Sequence, residues 1–189
     1  MYTLEEITIE TFGNSEFDHL FSCSLPYMDE GTFSWDFYNN PTTDDEKREA
    51  LRARFQKDLE MANEYPEICR IKCVLYKKDG VAIHLCHGAI NSGDDNYVTW
   101  GISLIGPDGN GSKSWLYDLE YQKTIKDHFV NTYGVKGYKI NAMNTGSLRE
   151  YHLNKLNDPG VGDLYNVAID KVYTTDAGVE LVTIFYTYK

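Results

Sequence analysis

The sequence predicts an α+β domain in α/β/α layers, built on a mixed, mostly antiparallel seven-stranded sheet with helices on both faces. Two observations predict it. Three apolar runs, "EICRIKCVLY", "VAIHLCHGAI" and "NYVTWGISLIG", are separated only by the short polar turns "KKDG" and "NSGDD", which marks an antiparallel meander. Helical and strand patterns then alternate before a closing hairpin. The fourth and fifth strands are therefore joined through a helix and can run parallel.

Each element has its own local signal. "YTLEEITIETF" alternates and reads as the first strand. The stretch from Ser15 to Asn40 is irregular, aromatic and acidic, with one short helix near Glu16 to Phe21. "PTTDDEKREALRARFQKDLEMANEY" is a helix, with Thr43 or Asp44 as cap, acids in its first turn, and Leu51, Phe55, Leu59 and Ala62 at helical spacing. After the meander a long helix runs from about Lys113 to Tyr133. "GVKGYKINAM" is a short strand, and "NTGSLREYHLNKL" a helix opened by an Asn or Thr cap. The hairpin "DLYNVAIDKVYT", "TDAG", "VELVTIFYTYK" closes the chain.

No repeat, linker or low-complexity tract interrupts the pattern, so residues 1–189 read as a single domain. A net charge of −11 argues against nucleic acid as a partner and permits a cationic one. No apolar run is long enough to span a bilayer, and "MYTLEEITIE" carries no basic or apolar leader, so the expectation is a cytoplasmic protein with no membrane partner. Of the four cysteines, Cys69 and Cys73 share a strand face with Ile71 and Leu75. With His84 and His87 they make a poor zinc pattern, because C-x3-C on a strand is not a knuckle; buried thiols and no metal are expected.

The junction "GPDGNGSKS" carries the chemistry. A strand-to-helix turn leaves backbone N–H groups unpaired, and the helix dipole adds partial positive charge at the same place. Glycine lets a phosphate approach the backbone closely. Gly109 and Gly111, the N–H groups of Ser112 to Ser114, two hydroxyls and Lys113 suit a pyrophosphate. "PDG" is also ordinary turn chemistry. It is neither a Walker loop nor a dinucleotide fingerprint, since no G-K-[ST] comes at the right spacing and the upstream strands form a meander. Downstream, in "NTGSLREY", Ser147 and Tyr151 stand i and i+4 on a helix after Asn144 and so share a face.

The element order and these two motifs together resemble the GCN5-related N-acetyltransferase (GNAT) superfamily, over nearly the whole chain in topology. "GPDGNG" is similar to the family's Q/R-x-x-G-x-G/A loop at Gly109 and Gly111, and departs from it at Gly106. "NTGSLREY" is similar to N-x-x-S/A-x-x-x-Y at Asn144, Ser147 and Tyr151. The resemblance implies acetyl-CoA as co-substrate. It places the cofactor against Ile105, Gly106, Gly109, Asn110, Gly111, Ser112, Lys113, Ser114, Asn144 and Ser147. It also implies catalytic roles for Asn144, holding the pantetheine arm or a water, and for Tyr151, protonating the departing thiolate.

The chemistry implied by the resemblance is acyl transfer to an amine of a small molecule or peptide, where positioning supplies most of the catalysis. The fourth strand lacks the glutamate that many members use as base. Asp94, Asp95, Glu30, Asp36, His84 and His87 are the candidates in its place. Acids amid aromatics in "YMDEGTFSWDFY" suit a cationic amine, and a buried aromatic cluster with surface acids explains the same letters. Two readings stand: an N-acyltransferase, or a catalytically inactive structural or interaction protein of the same fold, of a kind that would fit a viral source. The sequence leaves the oligomeric state open, with a homodimer as one option.

Overall fold

The computed structural model of the chain describes residues 1–29, 33, 35–66, 70–90, 96–107, 118–144, 150, 154, 160, 162–176, 178 and 180–189. Its strands are β1 (Tyr2–Ile7), β2 (Ile71–Lys78), β3 (Val81–Ile90), β4 (Tyr97–Ile105), β5 (Gly137–Met143), β6 (Tyr165–Thr174) and β7 (Glu180–Tyr188). Its long helices are α1 (Asn14–Tyr27), α2 (Asp44–Glu64) and α3 (Leu119–Tyr133), with a short 3-10 helix at Trp35–Tyr38. The sheet runs β1-β2-β3-β4-β5-β7-β6. The pair β4/β5 is parallel, whereas β1/β2, β2/β3, β5/β7 and β6/β7 are antiparallel. This is the mixed sheet expected from the order of elements.

The chain forms two compact units, Met1–Ala89 with Ile102–Gly109, and Ile90–Gly101 with Asn110–Lys189. In the first unit α1 is longer than expected. Phe17, Leu20, Phe21 and Ser24 fall on one buried face, and Pro26 lies in its final turns without stopping it. Its serines, cysteine and proline mask the apolar stripe in the sequence. In α2 the Thr43 side chain accepts the Glu46 N–H while the Glu46 carboxylate accepts the Thr43 N–H, a full capping box. Its buried face is Leu51, Phe55, Asp58 and Leu59. These helices pack Phe17, Leu20, Leu51 and Phe55 against Ile7, Cys73, Leu75, Leu85 and Leu104 of the strands.

In the second unit α3 starts later than the sequence pattern indicates, at Leu119 rather than near Lys113. Asp118 takes an extended conformation (φ −69°, ψ 122°) and its side chain accepts the Glu120 N–H at 2.9 Å, so the helix has a true N-cap there. Gly134, in the left-handed region at φ 63°, ends it. Tyr121, Gln122, Ile125 and Phe129 form its buried face. The tyrosines collect beside them: Tyr138 stacks on Tyr186 at 4.6 Å, and Tyr165 meets both edge-on. Of the last expected helix, Glu150 and Asn154 are helical and the remainder lies outside the described residues. No described helix is long and apolar enough to cross a membrane.

Candidate functional site

The end of β4, where the glycine segment departs, is held firmly in the first unit. Ser24 of α1 accepts the Ile105 N–H at 2.7 Å and donates its hydroxyl to the Ile105 carbonyl at 3.0 Å. The Gly106 N–H donates to the Ile83 carbonyl at 2.7 Å. A Cβ on Gly106 would lie 3.0 Å from that carbonyl oxygen and 3.1 Å from Leu20 Cδ2. A side chain here would press on the β3 backbone and on Leu20. Ile105 and Gly106, expected to line the cofactor, have their amide N–H groups engaged inside the first unit and so anchor the start of the segment.

In the second unit the parallel β4/β5 ladder pairs Tyr97 to Trp100 with Gly137 to Ile140. Both strands continue past it, β5 staying paired to β7 through Met143. Asn144 comes immediately after. Its backbone N–H donates to the Glu180 carbonyl at 2.9 Å, and its side-chain amide donates to the Glu180 carboxylate. Its Oδ1 is buried and meets no hydrogen-bond partner among the described residues. Glu180 thus fixes the orientation of this amide and leaves an acceptor to be satisfied.

One buried ionic group lies in the first unit. The carboxylate of Asp58, on the buried face of α2, accepts from His87 Nδ1 of β3 at 2.5 Å and from Arg54 Nε at 3.0 Å. Burial acts to raise the Asp58 carboxyl; the hydrogen bond and charge of His87, and then those of Arg54, outweigh it and hold the group below the ordinary carboxylate value. Cys73, directly across from His87 in the β2/β3 register, has its thiol pushed up to about 12 by burial and then by the Asp58 charge. Among the described residues no group of three or more His, Cys, Asp or Glu is placed to hold a metal ion.

Comparison with solved structures places this architecture. RimL, a ribosomal alpha-N-protein acetyltransferase in complex with coenzyme A, superposes with a TM-score of 0.59 at 10% identity, over 98% of this chain and 94% of its own. Spermidine N-acetyltransferase from Vibrio cholerae, in complex with CoA and spermine, gives 0.56 at 10% identity, over 99% and 95%. PaiA N-acetyltransferase from Thermoplasma acidophilum, in complex with coenzyme A, gives 0.52 at 13% identity, over 97% and 98%. The fold is that of the GNAT superfamily. No protein-family model matches the sequence, and no curated protein matches it.

Within the GNAT fold the sequence-derived site divides by position. Ile105 and Gly106 are engaged inside the first unit, and Asn144 Oδ1, just after β5, meets no partner among the described residues. Gly109, Asn110, Gly111, Ser112, Lys113, Ser114, Ser147 and Tyr151 lie outside the described residues. The expected pyrophosphate-binding helix end near Lys113 lies outside the described residues, and the described helix α3 opens with the carboxylates of Asp118 and Glu120. An acid at a helix N-terminus already answers the dipole and opposes a second anion.

Of the candidate bases, Glu30, Asp94 and Asp95 also lie outside the described residues, and Asp36 is exposed. His84 stacks on Tyr76 at 5.4 Å. His87 is seated on a carboxylate. Sequence reading missed that carboxylate, although Asp58 breaks the apolar stripe Leu51, Phe55, Leu59 and so carried a signal. The aromatic and acidic segment proves to hold an internal cation. Phe33 stacks on Tyr38 at 5.4 Å, and Trp35 meets both rings edge-on, 4.8 Å from Phe33 and 6.1 Å from Tyr38. Lys47 sits 5.5 Å over the Trp35 ring and 2.7 Å from Asp29.

Proposed function

We propose that the chain is an acyl-CoA-dependent N-acyltransferase that transfers acetyl from acetyl-CoA to an amine. The observation that carries this reading is Asn144: immediately after β5, it presents a buried, oriented carbonyl oxygen that meets no hydrogen-bond partner among the described residues. The amide N–H groups of a pantetheine arm are matching donors, and the GNAT resemblance expects the arm at this residue. The glycines of "GPDGNG" supply the phosphate contact in this reading, and Tyr151 the proton for the departing thiolate. The acceptor is an amine; the net charge of −11 favours a cationic one.

Titration calorimetry with acetyl-CoA tests the reading, supported by a rise in melting temperature through mass action. Binding by the intact chain, weakened by Asn144→Ala and abolished by Gly111→Trp, is the expected result. Absence of binding at millimolar acetyl-CoA overturns it. A second reading, a GNAT-fold protein without catalysis, draws support from the carboxylates at the leading end of α3 and from the engaged amides of Ile105 and Gly106. In that case calorimetry registers no heat and Gly111→Trp leaves the melting temperature unchanged in the presence of acetyl-CoA.

A further inference from the structure

We infer that Glu180 is a positioning residue for acyl-CoA: its carboxylate decides which end of the Asn144 carboxamide is left to meet the ligand. This rests on the acyltransfer reading above and deepens it.

A carboxamide carries a donor and an acceptor on one planar group, so its orientation decides what it can bind. Strand register settles that orientation here. Met143 of β5 stands opposite Leu181 of β7, and Asn144 continues the pairing by one residue, its backbone N–H donating to the Glu180 carbonyl at 2.9 Å. The main chain thereby brings the two side chains together. A carboxylate has only acceptors to offer. That of Glu180 takes a hydrogen bond from Asn144 Nδ2 and would repel Oδ1. Such a bond is charge-assisted and stronger than a neutral one, so the amide is held in this sense rather than flipped.

The same two strands hold a second asparagine the opposite way. Asn141 stands opposite Thr183, whose hydroxyl donates to Asn141 Oδ1 at 2.9 Å. A donor on β7 engages the oxygen of one amide, and an acceptor on β7 engages the nitrogen of the other. The residue type on β7 therefore selects which end remains. At Asn144 the remaining end is Oδ1, which meets no hydrogen-bond partner among the described residues. An oriented carbonyl oxygen selects a ligand group that donates. The amide N–H groups of a pantetheine arm qualify; a carbonyl, carboxylate or phosphate oxygen does not.

All four residues belong to the second unit. Glu180 is exposed, so its loss should be felt in binding far more than in folding. It touches no reacting atom, and its effect passes through Asn144. That dependence separates positioning from a general structural role.

A double-mutant cycle on the full chain, read by titration calorimetry with acetyl-CoA, tests the assignment. Glu180→Ala is expected to weaken binding about 5- to 10-fold in the native background, the scale of one hydrogen bond. In the Asn144→Ala background the same change should cost less than about 2-fold. Glu180→Gln, which can accept from Nδ2 or donate to Oδ1, should fall between native and alanine, and it carries the cycle should the alanine variant unfold. Nitrogen-15 NMR of the side-chain amides reads the orientation without cofactor: one Asn144 Nδ2 proton should lie downfield in the native chain and move upfield in Glu180→Gln. Equal weakening in both backgrounds, or none while the native chain binds, overturns the positioning role and leaves the acyltransfer reading standing. An Asn144 amide proton that Glu180→Gln leaves unmoved does the same. Failure of the native chain to bind acetyl-CoA at millimolar concentration overturns both.

Discussion

Ser24 closes both hydrogen-bonding groups of Ile105, taking its N–H at 2.7 Å and giving a proton to its carbonyl at 3.0 Å across 81 positions of sequence. By accepting from the Ile105 N–H and donating a hydrogen bond to its carbonyl, a helix hydroxyl sets the last residue of β4, from which the glycine segment departs. Ser24→Ala takes this partner from a partly buried N–H and C=O. It is expected to cost about 1–3 kcal/mol, the penalty for orphaned buried polar groups. Urea unfolding of the two proteins measures it, and an unchanged midpoint would remove Ser24 from this role.

Two glycines should differ in the cost of one methyl group. At Gly106 the added Cβ meets the Ile83 carbonyl oxygen at 3.0 Å; at Gly137 it meets the Tyr186 carbonyl oxygen at 2.1 Å. Overpacking against backbone typically costs about 1–3 kcal/mol, more than the gain of about 0.4–1 kcal/mol from restricting the unfolded chain. Gly106→Ala is expected within the first range and Gly137→Ala above it. Thermal melts of both variants decide the order.

The thiols should react in order of burial. Cys73 and Cys86 are buried, and burial pushes both thiols up, with Asp58 adding to the effect at Cys73. Cys23 is half-buried and its thiol is raised by burial alone. Since the thiolate is the reactive form, iodoacetamide under native conditions should label Cys23 well before the other two. Peptide mass mapping at timed quenches reads the order. Faster labelling of Cys73 than of Cys23 would contradict the packing beneath α2.

Asp58 should make the fold sensitive to acid. A carboxyl held below its ordinary value of 3.8 in the folded chain stabilises the fold at pH above that value. The contribution disappears as pH falls through the depressed folded value. Stability measured by urea from about pH 5 down to about pH 2 should therefore drop more steeply for the native chain than for Asp58→Asn. Parallel curves would show that Asp58 does not titrate in this window.

Tyr165 donates its hydroxyl to Gln122 Oε1 at 2.7 Å, joining β6 to the buried face of α3. Tyr165→Phe removes that bond while keeping the ring among Tyr138, Tyr186 and Tyr188. The expected loss is about 1 kcal/mol or somewhat more, the scale of a neutral hydrogen bond. Tyr165→Ala should lose several times more, since the aromatic contacts go as well. Equal losses in the two variants would mean that the ring contributes nothing.

Much of the architecture is written in local pattern. The capping box at Thr43 and Glu46, the stripe Leu51, Phe55, Leu59, the meander turns and the helix between β4 and β5 depend on spacing and on residue types a few positions apart. These were legible, and with them the GNAT-like order of strands. The start of α3 was misread because apolar spacing continues upstream, whereas a single side chain, Asp118, sets the cap.

The relationships closest to chemistry are not of that kind. Asp58 reaches His87, Ser24 reaches Ile105 and Asn144 reaches Glu180 only because helix faces and strand registers bring distant positions together. A residue's own neighbours in sequence fix its backbone period. Which partner it meets across a sheet or beneath a helix is decided by the free energy of packing the whole core, where one register step turns every side chain to the opposite face. The sequence by itself therefore determined the elements, their order and the glycine and asparagine positions worth examining. Tertiary structure alone decided that Gly106 lies close against the Ile83 carbonyl, that Asn144 Oδ1 meets no partner among the described residues, and that the acid of α2 holds an imidazole.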